Sequence, residues 1–452
     1  MAVDLGDEKS RVDGAFAGSY AIEGVSVIDL ATGAAVPDRT VVITGDKLER
    51  VGPRSAVAVP ATAQLIDGSG LFLMPGLIDS HVHYLSPATF GPLLIANGVT
   101  LVRDMGMPTE MILALRGQLS RGDILGPEML ATGSILDRNP PLIPSISIGV
   151  NAVAEARDAV NRQVAAGVDM IKVYSALDRQ AFLAILAEGR RLGIKVVGHV
   201  PESVDIEEAA AQGLSSSEHL FGFERMVAGL LGGPTTSAFR GMGAAADCLQ
   251  RLGEVAQADL RAGYRRLGTS GLTVCPTVVV FQVGTQMRAL RAGESPRREY
   301  VAPDVLAVWQ AMWAQQTDLP EYMWQAWASM VKGLQEAGVP LLVGTDLSVP
   351  GIVAGFSVHD EMAIWQEAGI APIDVLRGAT SVPARFLGVG DRLGLVEPGR
   401  TASVVLLRAN PLTDVRNAQQ IESVFLRGRY FPRPDLDRLL ADVRRLASQA
   451  AE

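Results

Sequence analysis

A-A-G-V-D-M-I-K-V-Y, residues 165–174, ends one structural element and begins another. Gly167 stands where a helix must stop in a left-handed cap so that the chain can turn back. The apolar run that follows suits a buried strand, except that it carries Lys172. The same order of helix, glycine and strand recurs in R-L-G-I-K (191–195), A-Q-G-L-S (211–215) and E-A-G-V-P (336–340), with Gly193, Gly213 and Gly338 at the turns. Apolar runs alternating with helical stretches such as 152–166 and 179–192 predict a parallel sheet made of βα units.

Working outward, eight such runs can be read, at residues 73–81, 100–103, 128–132, 170–174, 195–199, 215–219, 273–280 and 341–345. Eight units closing into a ring make an α/β fold, the (β/α)8 TIM-like barrel. A doubly wound open sheet is the rival, but no Gly-rich phosphate loop follows the first strand. Before the barrel, 21–30, 40–44 and 48–51 read as strands, with a turn at Thr32-Gly33; after it, 402–407 and 421–427 do the same. Pairing of the two sets predicts a small β-sandwich domain built from both chain ends. The expected division is 1–72 (N-terminal strands), 73–392 (barrel), 393–430 (C-terminal strands) and 431–452, an amphipathic helix with Leu439, Leu440, Val443 and Leu446 on one face. Two insertions, 222–248 and 282–332, leave the rim at the strand ends. The second carries Trp309, Trp313, Trp324 and Trp327 at helical spacing, a stripe expected in the core or a subunit interface rather than a substrate cage.

Composition narrows the function. Of the 452 residues 48% are hydrophobic, enough for a sizeable core, and the net charge of −9 is spread along the chain. The absence of a long basic run argues against a nucleic-acid partner, and no long uncharged apolar stretch suggests a membrane span. Cys248 and Cys275 form no CxxC pair and are expected to be buried apolar residues. The polar N-terminus lacks a signal-peptide core, so a cytoplasmic location is expected, although a secreted form with its leader removed would read the same.

The chain has five histidines, and His81, His83, His199 and His219 lie at or just past the ends of expected strands. In H-V-H (81–83), residues i and i+2 of an extended strand point the same way, so both imidazoles can face one metal. One strand-end histidine is commonly a core residue; four on one rim suggest a metal centre. Asp346 ends L-L-V-G-T-D. Alone it would be read as a helix N-cap, but strand eight neighbours strand one in a closed barrel, which brings this carboxylate beside H-V-H. Lys172 has three readings: it snorkels to the rim, it pairs with an acid such as Asp169, or burial lowers its pKa until the neutral amine reacts with carbon dioxide. The carbamate so formed is an anion with two oxygens, suited to bridging two cations, and this reading is preferred. Tyr174, two residues on, is either an oxyanion donor or a rim tyrosine bonded to solvent. Arg103 is read as a structural pair or a substrate-carboxylate contact, with Arg138 and Arg225 as alternative anchors. His359 is read as structural or as supporting the ligands, and Asp79 as orienting a ligand histidine.

These motifs resemble the amidohydrolase superfamily. P-G-L-I-D-S-H-V-H (75–83), D-M-I-K-V-Y, V-V-G-H-V-P, S-S-E-H-L and L-V-G-T-D are similar to its strand-one, -four, -five, -six and -eight signatures, and V-E-P-G-R-T-A-S-V-V-L-L to its C-terminal β-domain, with Ala402-Ser403 in place of the usual Ala-Asp. V-R-D-M-G and K-V-Y-S resemble the imidazolonepropionase-like branch, which includes prolidases, N-acyl amino acid carboxypeptidases and ochratoxin amidases. The resemblance implies two divalent metal ions, expected as zinc. His81, His83 and Asp346 would hold the more buried ion, His199 and His219 the outer one, with carboxylated Lys172 between them. It further implies attack by a metal-bridging hydroxide on an amide C–N bond, with Asp346 as proton shuttle, and a homo-oligomer acting on a small-molecule substrate. Two alternatives remain: the same site acting on a lactone, carbamate or phosphate ester, and a metal-free scaffold without activity.

Overall fold

The structure is a computed structural model that describes residues 18–236, 241–295, 297–313 and 317–449. Residues 1–17 and 450–452, segments 237–240 and 314–316, Pro296 and the side chains of Met242, Trp313 and Gln449 lie outside the described residues. Five strands come first: β1 (Ser19–Asp29), β2 (Ala34–Thr44), β3 (Lys47–Pro53), β4 (Gln64–Asp67) and β5 (Phe72–Pro75). Nine follow: β6 (Leu77–Val82), β7 (Val99–Asp104), β8 (Glu128–Ala131), β9 (Ile135–Asp137), β10 (Ser147–Gly149), β11 (Ile171–Val173), β12 (Val196–Gly198), β13 (Ser216–Glu218) and β14 (Thr273–Cys275). Three close the set: β15 (Val404–Leu407), β16 (Ile421–Leu426) and β17 (Arg429–Pro432).

Both chain ends build one eight-stranded sheet, β17-β16-β15-β5-β1-β2-β3, with β4 paired to β1. Alternation along its strands separates two cores. Val404 and Leu406 pack with Ile22, Ile43, Leu73 and Phe425 inside the sheet's own core, whereas Val405 and Leu407 join the large core under the barrel helices. A strand can serve both because successive side chains leave opposite faces. The strand expected at 73–81 is therefore two strands. Its first part, β5, pairs with β1 and β15, and the chain passes at Gly76 into the barrel strand β6.

Barrel strands β6, β7 and β8 form one parallel ladder, and β9, β11, β12, β13 and β14 another, with β10 on the outer side of β9. The ladders do not run round the ring without a break. The expected eighth strand contributes single bridges and bonds: Leu342 N donates to Val274 O (2.9 Å) on one side, and Ser80 N donates to Val343 O (2.9 Å) on the other. Across the opposite gap Asp169 N donates to Ala131 O (2.8 Å). Gly167, Gly193, Gly213 and Gly338 have φ of +92°, +70°, +93° and +81°, as their places between helix and strand require.

One expected strand is wrong over most of its length. The run 273–280 stays extended only to Cys275; Thr277 turns at φ +46°, and Val278–Gly284 is a buried helix. A short apolar run with no period cannot distinguish a central strand from a buried helix, and Pro276 is where this one changes. In the second insertion Trp309 and Trp327 are buried, Trp327 stacks on Phe281 (ring centroids 3.8 Å), and Trp324 is half-buried. This part of the stripe is core. The C-terminal helix Arg433–Gln449 buries Leu436 and Val443 and half-buries Leu439, Leu440 and Leu446. Both cysteines are buried and free, and no helix among the described residues is long and apolar enough to cross a membrane.

Candidate metal centre

Parallel strands all finish at one end of a barrel, so the residue that follows each strand meets the residues that follow its neighbours. His81 lies in β6 with His83 just past it, Lys172 lies in β11, His199 and His219 follow β12 and β13, and Asp346 follows the eighth segment. The rings are contiguous, with centroids 4.5 Å apart for His81 and His219, 4.9 Å for His199 and His219, and 5.6 Å for His81 and His83.

Asp346 is the meeting point. Its Oδ1 lies 3.3 Å from His81 Nε2 and 3.2 Å from His83 Nε2, and its Oδ2 lies 3.9 Å from His219 Nδ1. His81, His83 and Asp346 each place a donor atom within 4.8 Å of the others. The backbone here is strained: Asp346, His219, Leu220 and Thr277 have φ of +57°, +59°, +58° and +46°, the left-handed region that non-glycine residues rarely adopt.

Behind the rings, every Nδ1 has a partner. His81 Nδ1 donates to Glu218 Oε2 (2.8 Å) and His83 Nδ1 to Gly106 O (2.9 Å); His199 Nδ1 pairs with the Ser175 hydroxyl and His219 Nδ1 with the Thr277 hydroxyl, both at 2.7 Å. Because a carboxylate and a carbonyl only accept, the proton of His81 and of His83 sits on Nδ1, and each Nε2 lone pair faces inward. His81 Nε2 and Asp346 Oδ1 are both buried without a hydrogen-bond partner. Buried polar atoms seldom go unpaired, and a lone pair opposite a carboxylate oxygen repels it. A cation between them removes both problems, so the donor set fits a metal ion.

Charge reinforces this. Burial, with the Lys172 charge, holds His81 and His199 well below the usual histidine range, and burial takes His219 down to about 4. Neutral imidazole is the form that binds metal. Burial acts on His83 in the same direction, but the adjacent Asp346 carboxylate outweighs it and raises this group. Burial would raise Asp346 itself; the surrounding His219, His81 and His83 outweigh it and keep the carboxyl ionised.

Lys172 is buried in the same cluster, and desolvation pulls its amine down to about 8 despite the charges of Glu218 and Asp346. It neither snorkels nor pairs with Asp169, whose carboxylate takes Arg116 (2.6 Å) and Ala131 N (2.8 Å). Space for its stem comes from Gly198, at φ +134°: a Cβ there would lie 2.2 Å from Val173 O and 3.0 Å from Lys172 Cδ. Gly198→Ala is therefore expected to cost on the order of 3 kcal/mol through backbone overlap and to lower bound metal. Chemical denaturation and metal analysis check this; an unchanged midpoint refutes it. Gly344 gives the eighth segment similar clearance, since a Cβ would sit 2.5 Å from Cys275 Sγ and 3.0 Å from His81 N.

The remaining expected residues divide. Tyr174 lies against His199 (centroids 4.2 Å), and Phe221 covers His199 and His219 from another side at 4.9 and 5.4 Å. Arg138 is exposed on the rim after β9. Arg103 is not at the rim: it is fully buried and paired with Glu218 and Ser80 O. Arg225 is buried too, its Nη2 donating to the carbonyls of Val200, Pro201 and Val204, so it faces the chain and not a substrate. Asp79 touches no imidazole; it accepts from His81 N (3.3 Å), Thr345 N (3.0 Å) and the Thr345 hydroxyl (2.7 Å), tying β6 to the eighth segment. The carboxylate that bonds a cluster imidazole is Glu218, whose place before His219 in S-S-E-H-L gave no sign of its contact with His81. His359 is buried outside the cluster, with Nε2 donating to Asn97 O (3.0 Å). Ser175 and Thr277, which hold His199 and His219, carried no signal in the sequence beyond their position next to strand ends.

Fold and donor set together define a (β/α)8-type protein with a cluster of candidate metal ligands at the strand ends. The amidohydrolase family model matches residues 72–242 and 321–430, more than half of the chain, and the chain belongs to that family. Among curated proteins it is similar to an adenine deaminase of Paracoccus denitrificans, 30% identical over 27% of this chain and 21% of that one, and to ochratoxinase of Aspergillus niger, 22% identical over 78% and 73%. The chain spans only 21%, 42% and 16% of the first three adenine deaminases it matches. Among solved structures it is similar to a bottromycin amidohydrolase, with a TM-score of 0.76 and 25% identity over 95% of this chain and 91% of that one. These relatives bear out the resemblance to the imidazolonepropionase-like branch.

Proposed function

We propose that this protein is a metal-dependent hydrolase that cleaves an amide C–N bond in a dipeptide, as prolidases do, or in an N-acyl amino acid. The observation that carries the proposal is the buried lone pair of His81 Nε2 facing the unpartnered Oδ1 of Asp346, with His83 on the same oxygen. His81, His83 and Asp346 would hold one divalent cation and His199 and His219 a second; a Lys172 carboxylated by carbon dioxide, its amine giving up a proton as the N–C bond forms, would join them. Imidazole-rich donors suit zinc. When bound, such ions supply Lewis acidity, which makes water acidic enough to attack near neutral pH and polarises a carbonyl.

The chain's own groups do the rest. Asp346, held ionised at the centre, accepts the proton of the attacking water and delivers it to the leaving nitrogen, which departs as an amine and not as an amide anion. Tyr174 is pushed up by burial and keeps its proton, so its hydroxyl is a donor for the developing oxyanion. With Arg103 and Arg225 buried, Arg138, exposed on the rim, is the arginine placed to receive a substrate carboxylate. The test is metal analysis of the purified protein together with a panel of dipeptides, N-acyl amino acids, lactones, aryl esters, carbamates and phosphotriesters. Bound divalent metal and turnover of amides are expected. Turnover confined to the esters and lactones overturns the amide reading, and a metal-free, inactive protein overturns the enzyme.

A further inference from the structure

Directly beneath the cluster is a second set of buried groups. Glu218 Oε2 accepts from His81 Nδ1 (2.8 Å) and Arg103 Nη2 (2.9 Å), and its Oε1 accepts from Arg103 Nη2 (3.1 Å) and the Ser216 hydroxyl (2.5 Å). Arg103 uses its other nitrogens as well: Nε donates to Ser80 O and Nη1 to Ser216 Oγ (3.2 Å). The side chains of His81, Glu218 and Arg103 have no solvent exposure. Both Glu218 oxygens are thus saturated, and the carboxylate cannot rotate without leaving a buried donor unpaired.

This arrangement restricts one imidazole in two ways. The carboxylate accepts and cannot donate, so His81 carries its proton on Nδ1. The ring is also held at the angle that aims Nε2 at Asp346 Oδ1, 3.3 Å away. His83 gets the same service from a backbone carbonyl and His199 and His219 from hydroxyls, which can donate or accept; only His81 is bound to a charged group that is itself clamped by a second charge. We infer that Glu218, locked by Arg103 and Ser216, is the positioning residue that sets the tautomer and aim of His81 at the metal centre. The inference rests on the metal-centre reading above, but its first test does not.

Glu218→Asp keeps the charge opposite Arg103 and withdraws the carboxylate by one methylene. Two readouts decide: long-range proton–nitrogen spectra of the zinc-free protein, tractable because the chain has five histidines, and zinc affinity by competition with a chelator. In the parent protein His81 is expected as the Nδ1–H tautomer with a downfield proton. In the variant that signal is lost to the Nε2–H form, and zinc binding weakens by about 10–100-fold. Glu218→Gln, which keeps the size and loses the charge, is expected to move both readouts in the same direction and serves if the aspartate variant does not fold. A merely structural glutamate would lower the unfolding midpoint and leave tautomer and affinity unchanged, and that result overturns the inference. If the parent protein takes up no zinc, the hydrolase reading falls, while the tautomer still decides the role of Glu218.

Discussion

Lys172→Ala is expected to abolish turnover and to release one or both metal ions, and short carboxylic acids are expected to restore part of each. The argument starts from cost. A Lys side chain with no solvent around its ammonium is unfavourable unless it is paired, and among the described residues no carboxylate lies within ion-pair distance of Lys172. Desolvation brings the amine down to about 8, so near neutral pH a minor fraction of the uncharged, nucleophilic form is present. In the proposed centre that form would add to carbon dioxide and give up a proton, replacing an unfavourable cation with an anion among imidazoles. Alanine removes the bridging anion and leaves a gap that a small carboxylate can enter, which is why rescue by acetate or propionate is diagnostic. The check is metal content and turnover with and without added acid; a variant with full metal and normal turnover refutes the bridging role.

Asp346→Asn separates binding from proton transfer. The carboxamide keeps an oxygen that can face His81 and His83, so most of the metal is expected to stay. What it lacks is a group that can take a proton from water and return it to the leaving nitrogen. Loss of a positioned general acid–base lowers turnover by about 10²–10⁴-fold. Asp346 is suited to the task because, although burial works against it, the neighbouring histidines keep it ionised. The measurement is turnover per bound metal on an amide and on an activated ester. The amide is expected to suffer more, because an aryl oxide leaves without being protonated. Near-normal amide turnover with full metal would remove Asp346 from the proton path.

Much of the site was legible because its signals are local. H-V-H puts two imidazoles on one side by strand geometry alone, and both do face Asp346 Oδ1. The helix-ending glycines announced βα units because the left-handed cap is a property of a few consecutive residues. Lys172 stood out since a charge inside I-K-V conflicts with its own surroundings. The failures have the opposite character. Arg103 could be read toward a substrate or toward the protein; its partner, Glu218, lies 115 positions away. Asp79, two residues before His81, looked like the natural orienting group, yet it bonds Thr345 on the neighbouring eighth segment. The run 273–280 offered no period to tell a strand from a helix, and Pro276 split it.

By itself the sequence determined the kind of elements, their order, and the rim on which the chemistry-bearing residues fall, because periodicity, capping and strand alternation act within a turn or two of chain. Only the tertiary structure decided which buried charge meets which: Glu218 with His81 and Arg103, Asp169 with Arg116, Asp79 with Thr345. Those choices follow from tertiary packing, which brings residues 53 to 266 positions apart within hydrogen-bond distance, where desolvation penalises a buried polar atom left without a partner.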